Sequence, residues 1–275
     1  MSIHRRLIIR PGAIGDFILS LPAMESLKMA YLEVWAASQN LPLVRFAART
    51  RAISSTGLDM LEFSPDSRLV EELRRFDSII SWYGANRMEF KDLTRRLALP
   101  FQFLRAIPPD DCLTHAADFF AGQVGAATPA VPHIQCPRRD GGFAVIHPFS
   151  GSLKKCWPLA RYRELARRLE RLMDVRWCAG PEEPLEDAMR ADDLYELACW
   201  LATARIYIGN DSGITHLAAA TGTPVVALFG PTDPRIWAPR GPNVRVIAKP
   251  ALDQIEIEEV LSAAHAIIPV DGRTS

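Results

Sequence analysis

The sequence predicts an α/β protein made of two halves, each a parallel sheet covered by helices, with a cleft between them. Three features carry this expectation. Short β-branched or apolar runs alternate with helical patterns along the chain, as βα units with strands covered on both faces require. The alternation stops over 125–142, GAATPAVPHIQCPRRDGG, where Gly, Pro and polar residues keep no period. It then restarts and runs nearly to the end of the chain.

Taken in order, LIIR (7–10) is the first strand and precedes a helix near 15–31. EVWAA (33–37), RAIS (51–54) and SIISWYG (78–84) are further strands, so residues 1–130 read as a Rossmann-like domain. Beyond the linker, FAVIHP (143–148) is a strand, 159–173 a helix, VRWCAG (175–180) a strand and 193–203 a helix. RIYIGN (205–210) leads into a helix from 212, and PVVALFG (224–230), VRVIA (244–248) and a helix near 256–267 complete a second Rossmann-like domain over 143–275. In the helix at 159–173, Leu159, Tyr162, Leu165, Ala166, Leu169, Leu172 and Met173 recur at three- and four-residue spacing. Arg161, Arg163, Arg167, Arg168 and Arg171 take the other side. That face reads as solvated surface or as contact with anionic headgroups, with Glu164 and Glu170 diluting its charge.

Composition narrows the function. The chain has 275 residues, 48% hydrophobic and 23% charged, with Lys plus Arg and Asp plus Glu each numbering 32. Such a balance gives no global field to attract nucleic acid, so any polyanion must meet a local patch. The five cysteines are widely spaced and form no C-x-x-C, which argues against a disulfide framework or a structural zinc site. No apolar run approaches the ~20 residues of a membrane span, and the N-terminus lacks a signal-like core. The expected setting is the cytoplasm.

Three strand–loop–helix junctions concentrate polar chemistry. In GNDSGITHLAAATG (209–222), Asp211 or Ser212 is a natural N-cap, and the amides of Ser212, Gly213 and Ile214 fall among the free donors of a helix N-terminus that favours anions. His216 is either a hydrogen-bonded core histidine or a ligand contact. A carboxylate at Asp211 repels phosphate, so it must cap the helix or face a neutral group such as a sugar hydroxyl. In HPFSGSLKKCWP (147–158), Ser150, Gly151 and Ser152 offer hydroxyls and amides, and Lys154 or Lys155 an ammonium. Two such junctions in one half imply a diphosphate. In RPGAIGDFILSLPAM (10–24), Asp16 follows the first strand and reads either as a structural carboxylate at a helix start or as a general base. AGPEEP (179–184) offers Glu182 or Glu183 to ribose hydroxyls or, equally, is a charged turn. There is no H-E-x-x-H, G-x-S-x-G or D-x-D, so no metal and no cofactor is expected.

GAIGD (12–16) with Pro22, S-G-S-x-K-K-x-W-P (150–158), AGPEE and IGNDSGITHLAAATGTPVVALFGPTDP (208–234) together resemble the ADP-heptose:lipopolysaccharide heptosyltransferase family. The resemblance implies a GT-B fold, two Rossmann-like domains facing each other across a cleft, and inverting, metal-independent sugar transfer from a nucleotide-sugar donor, ADP-heptose, to a glycan or glycolipid acceptor such as lipopolysaccharide core. It implies Asp16 as the base, Lys155 and Ser150 with Gly151 at the diphosphate, Asp211, Ser212, Gly213 and His216 at diphosphate and sugar, and Glu182 at ribose. It further implies peripheral contact with the inner face of the inner membrane. The first half is shorter than the family's, and the residues after His147 depart from its threonine-rich loop. A nucleotide-sugar epimerase or hydrolase on the same fold, or a non-catalytic nucleotide-sugar-binding protein, are the alternatives.

Overall fold

Leu7, Ile8 and Ile9 are completely buried in β1 (Arg5–Arg10), as expected of a strand covered on both faces. The computed structural model to which it belongs describes residues 4–63, 66–137 and 141–268. Arg138, Arg139 and Asp140 of the expected linker, and 1–3 and 269–275 at the ends of the expected domains, lie outside the described residues. The chain divides into two compact units, Met1–Cys112 with Ala116–Ala130, and Leu113–His115 with Val131–Ser275.

In the first unit β1 is followed by α1 (Ile14–Ser26), β2 (Tyr31–Ala36), β3 (Arg49–Ala52), α2 (Ser67–Leu73), β4 (Ser78–Ser81), α3 (Met88–Arg96), β5 (Phe101–Phe103) and α4 (Ala116–Gln123). The strands are all parallel, in the order β3-β2-β1-β4-β5, with Ile8 opposite both Val34 and Ile80. Leu7, Ile9, Trp35, Leu73, Ile79 and Phe90 form the core on one face. The Phe90 ring stands edge-on to Tyr83, Phe101 and Phe103. The helix expected over 15–31 stops at Ser26, because the chain must turn before β2 begins at Tyr31. Four further elements, α2, α3, β5 and α4, fall where the sequence shows no sustained pattern; the strand is three residues long and the helices seven to nine.

The second unit contains β6 (Phe143–His147), α5 (Leu159–Leu169), β7 (Asp174–Trp177), α6 (Leu194–Leu201), β8 (Ile206–Asn210), α7 (Gly213–Ala220), β9 (Val225–Phe229), α8 (Pro234–Trp237), β10 (Val244–Ala248) and α9 (Ile257–Ile267). The order is β10-β9-β8-β6-β7, again all parallel. The inner strands β6, β8 and β9 are buried at every residue, while β7 and β10 at the edges are only partly covered. That contrast is why the inner strands read as continuous apolar runs. On α5, Arg167 and Arg168 bond Glu164, Arg168 reaches Glu258 on α9, and Arg161 donates to the Ile255 carbonyl. Much of its arginine face is thus committed within the chain. All five cysteines are free thiols. Among the described residues no helix is long and apolar enough to cross a membrane.

Sheet order decides where each unit can hold a ligand. In an open parallel sheet, loops leaving the carboxyl ends of two neighbouring strands part to opposite faces where the winding reverses, and the crevice left between them takes the ligand. The reversal lies between β1 and β4 in the first unit and between β6 and β8 in the second. These ends carry Asp16 in the first unit and, in the second, Ser150, Lys155, Asp211 and Ser212.

Candidate functional site

Asn210 closes β8 with a fully buried amide whose bonds tie two loops together. Its Nδ2 donates to the Pro148 carbonyl at 2.8 Å, and its Oδ1 accepts from the Trp157 amide at 2.9 Å and the Tyr162 hydroxyl at 3.0 Å. The loop after β6 is therefore stapled to the end of β8 at both its start and its finish. Trp157 anchors the far end, 1% exposed, with Nε1 donating to the Ile255 carbonyl and its ring edge-on to Tyr162 at 4.8 Å. Gly209 is required beside this staple, because a Cβ there would lie 2.6 Å from the Tyr207 hydroxyl oxygen.

Held in this way, the loop brings together most of the residues that the sequence singles out. Ser150 Oγ donates to the Asp211 carbonyl at 2.7 Å, and Lys155 Nζ donates to Asp211 Oδ2 at 2.7 Å. Ser212, not Asp211, is the N-cap of α7, its Oγ accepting from the Thr215 amide at 3.3 Å. Asp211 is left to fix the ammonium at the helix start and offset its own charge. The amides of Gly213 and Ile214 are the first two of α7 and have no acceptor within the helix. His216 is buried one turn in, and its Nδ1 has no hydrogen-bond partner. Burial lowers its pKa to about 4; Asp211 opposes the change, while His115 and Lys155 add to it. The imidazole is thus neutral at pH 7, with a buried polar atom unsatisfied. Gly151 and Ser152 lie on the exposed outer part of the loop, where a Cβ on Gly151 would meet open space.

The structure separates the two glutamates of AGPEEP. Glu182 is exposed, whereas Glu183 turns inward: its Oε2 accepts from the Gly180 amide at 2.6 Å and lies 3.1 Å from His147 Nε2. Burial pushes the Glu183 carboxyl up, but the bonds to His147 and the Gly180 amide outweigh it and hold the group below its usual range. His147 is 2% exposed at the end of β6, its Nδ1 3.5 Å from Ser212 Oγ. Asn210 and His147 are residues that the sequence did not single out, and Glu183 was only the alternative to Glu182. The one signal for them was their position at the last residue of a strand or just beyond it.

The edge of the first unit is built differently. Asp16 is the third residue of α1, after a turn in which Gly12 has φ +119°. Asn40 Nδ2 donates to the Gly12 carbonyl at 3.1 Å. Close by, a cavity of about 500 Å³ is lined by Asn86, Lys91, Phe103, Arg105, Ala106 and Ile107 among others. Among the described residues no group of three His, Cys, Asp or Glu is placed to hold a metal ion.

Comparison with known proteins adds a family and a fold. The model of glycosyltransferase family 9 (heptosyltransferase) matches residues 123–266. The chain is 29% identical over 156 residues to lipopolysaccharide heptosyltransferase 3 of Escherichia coli, a match covering 47% of this chain and 46% of that one. It is 39% identical over 93 residues to lipopolysaccharide heptosyltransferase 1 of Pseudomonas aeruginosa, covering 29% and 26%. The matched segment thus spans at most about half the length of these relatives. Among solved structures, a family 9 glycosyl transferase from Veillonella parvula superposes with TM-score 0.76 at 18% identity, over 98% of both chains. The E. coli heptosyltransferase WaaC with ADP superposes with TM-score 0.71 at 20% identity, over 95% of this chain and 99% of that one. At such identities the likeness shows the fold, which is the GT-B type with two parallel-sheet α/β domains.

Proposed function

The chain belongs to glycosyltransferase family 9, the heptosyltransferases, and from that premise we propose that it is an inverting glycosyltransferase moving a heptose from an ADP-linked donor to a glycan or glycolipid such as lipopolysaccharide core. The observation that supports this best is the anion seat of the second unit. A held ammonium (Lys155), two helix-start amides (Gly213, Ile214) and the unsatisfied His216 Nδ1 gather at the β6/β8 reversal. This set suits a diphosphate with no cation beside it.

In this reading Asp16 takes the proton of an acceptor hydroxyl while that oxygen bonds to the anomeric carbon. The bond from that carbon to the diphosphate breaks with its electron pair, and the nucleoside diphosphate departs. Lys155 and the α7 amides receive the charge that builds on the leaving oxygen, which is where fixed donors accelerate the reaction most. Glu183, rather than Glu182, accepts from the ribose hydroxyls, since His147 and the Gly180 amide keep it ionised. The cavity beside Lys91 and Arg105 in the first unit receives an anionic part of the acceptor. A glycolipid acceptor brings the protein to the inner face of the membrane.

Thermal unfolding with ADP, UDP and GDP tests the donor assignment, because a ligand that binds only the folded state raises its stability in proportion to affinity. ADP is expected to raise the midpoint and the other two to leave it unchanged. Lys155→Ala weakens ADP binding ~100-fold, the loss of a charge-assisted contact. Asp16→Ala ends turnover and leaves ADP affinity unchanged; equal loss of both overturns its assignment as base. Release of free sugar without any acceptor would replace transfer by hydrolysis.

A further inference from the structure

Arg10, at the end of β1, is 1% exposed, and an enclosed charge survives only where its surroundings compensate it. The compensation is specific. Nε donates to Ser20 Oγ at 2.9 Å, Nη2 to the Asp16 carbonyl at 2.9 Å and Nη1 to the Ala106 carbonyl at 3.2 Å. The guanidinium also lies over the Phe120 ring, 4.7 Å from its centroid, and 5.6 Å from that of Trp82. Two of the three acceptors are backbone groups of segments that form the polar edge of this unit: the first turn of α1, which carries Asp16, and the stretch after β5 that walls the cavity. A Cβ placed on Gly12 would lie 3.9 Å from Arg10 Nη1 and 4.0 Å from Asp16 Oδ2, so cation and carboxylate border the same turn.

We propose that Arg10 is a positioning residue for Asp16. Its fork fixes the start of α1 and the wall of the cavity to one another, and its charge keeps the carboxylate ionised in a set place. A leucine at this position would fill the space and do neither. Burial lowers the Arg10 pKa to about 10, Asp16 opposing the change, so the guanidinium remains a cation at neutral pH. An adjacent cation favours the charged form of a carboxylate in turn. The charged groups on the elements around Asp16 include Arg10, Arg5 and Arg6 on β1, Glu25 on α1, Asp118 on α4, which accepts from the Ala130 amide, and Arg105 after β5. The 3-10 turn Ser38–Leu43, which also packs against α1, has no charged residue.

The inference rests on Asp16 acting as the base, and its test separates the two. The full chain is labelled with ¹³C-carboxyl aspartate, and the Asp16 resonance, identified by its loss in Asp16→Asn, is titrated in wild type, Arg10→Met and Arg10→Lys. Transfer is followed with ADP-heptose and heptose-free lipopolysaccharide core, and ADP affinity is measured alongside. Arg10→Met is expected to raise the Asp16 midpoint by about one pH unit and to lower kcat ~100-fold through misplacement, with ADP affinity within about twofold of wild type because the ADP seat lies in the other unit. Arg10→Lys keeps the charge but loses the fork: the midpoint stays and kcat falls ~10-fold. An Asp16 midpoint unmoved in Arg10→Met overturns the proposal, whatever happens to kcat, since a merely structural arginine leaves it there. Where Arg10→Met fails to fold, Arg10→Lys and Ser20→Ala carry the test, and wild-type kcat in both overturns it. Asp16→Asn that still transfers sugar removes the base and this inference with it; Asp16→Asn dead while Arg10→Met keeps full kcat removes the inference alone.

Discussion

The two units hold their polar edges by opposite means. In the second, the loops at the β6/β8 reversal are joined by a neutral, buried network around Asn210, which uses neither the Lys155–Asp211 ion pair nor the α7 amides. In the first, the segments at the β1/β4 reversal are joined by an enclosed cation, Arg10, beside a carboxylate. The strand orders differ to match. The first unit winds with two strands on one side of β1, whereas the second has β7 alone on the far side of β6, both doubly wound arrangements. The two staples differ in charge: the one in the second unit adds none to its junction, and the one in the first encloses a cation beside Asp16.

Three measurements would break or sharpen this contrast. The largest effect is expected at the neutral staple. Asn210→Ala leaves the Trp157 amide, the Tyr162 hydroxyl and the Pro148 carbonyl buried without their partner, and should cost about 3 kcal/mol of unfolding free energy in urea. A loss below about 1 kcal/mol would mean that the loop is held by Trp157 packing alone.

Next is pH. The folded His216 pKa of about 4 lies below the ordinary 6.5, so between those values the unfolded chain binds a proton that the folded chain does not. The His216 contribution to stability must therefore fall as pH falls from about 6.5 to about 4, by up to about 3 kcal/mol, and stay level below. His216→Gln should flatten this part of the profile in chemical denaturation at stepped pH; an unchanged slope would assign it to other groups.

The smallest effect concerns the α7 cap. Ser212→Ala removes the acceptor of the Thr215 amide and should cost about 1 kcal/mol, read as a small fall in melting temperature. It should weaken ADP less than Lys155→Ala does, because the Gly213 and Ile214 amides remain. A Ser212→Ala loss of ADP binding as large as that of Lys155→Ala would make the hydroxyl, not the ammonium, the main anion contact.

The same division runs through what was legible in the residues. The second unit, where the family model falls almost entirely, announced its strands as long apolar runs and its site as two polar junctions after them. Lys155, Asp211, Ser212 and His216 came together where the spacing implied. Glu183 did not stand out from Glu182, because adjacent residues in a turn differ only in which one faces inward, and His147 makes that distinction from the end of another strand. In the first unit the short elements between 58 and 104 carried too few residues to show a period. Arg10 read as the polar end of an apolar strand and gave no sign of its burial.

By itself the sequence determined the alternating βα grammar, the chemical type of each junction and the family, since all three are written in residues close together along the chain. Tertiary structure alone decided the strand orders, the pairing of Lys155 with Asp211, the staple made by Asn210 and the enclosure of Arg10 by Ser20, Ala106 and Phe120. The reason is physical: a helix or strand is selected by neighbours a few residues away, whereas the partner of a buried polar group is set by which segments the sheet order brings to the same edge, and those segments lie tens of residues apart.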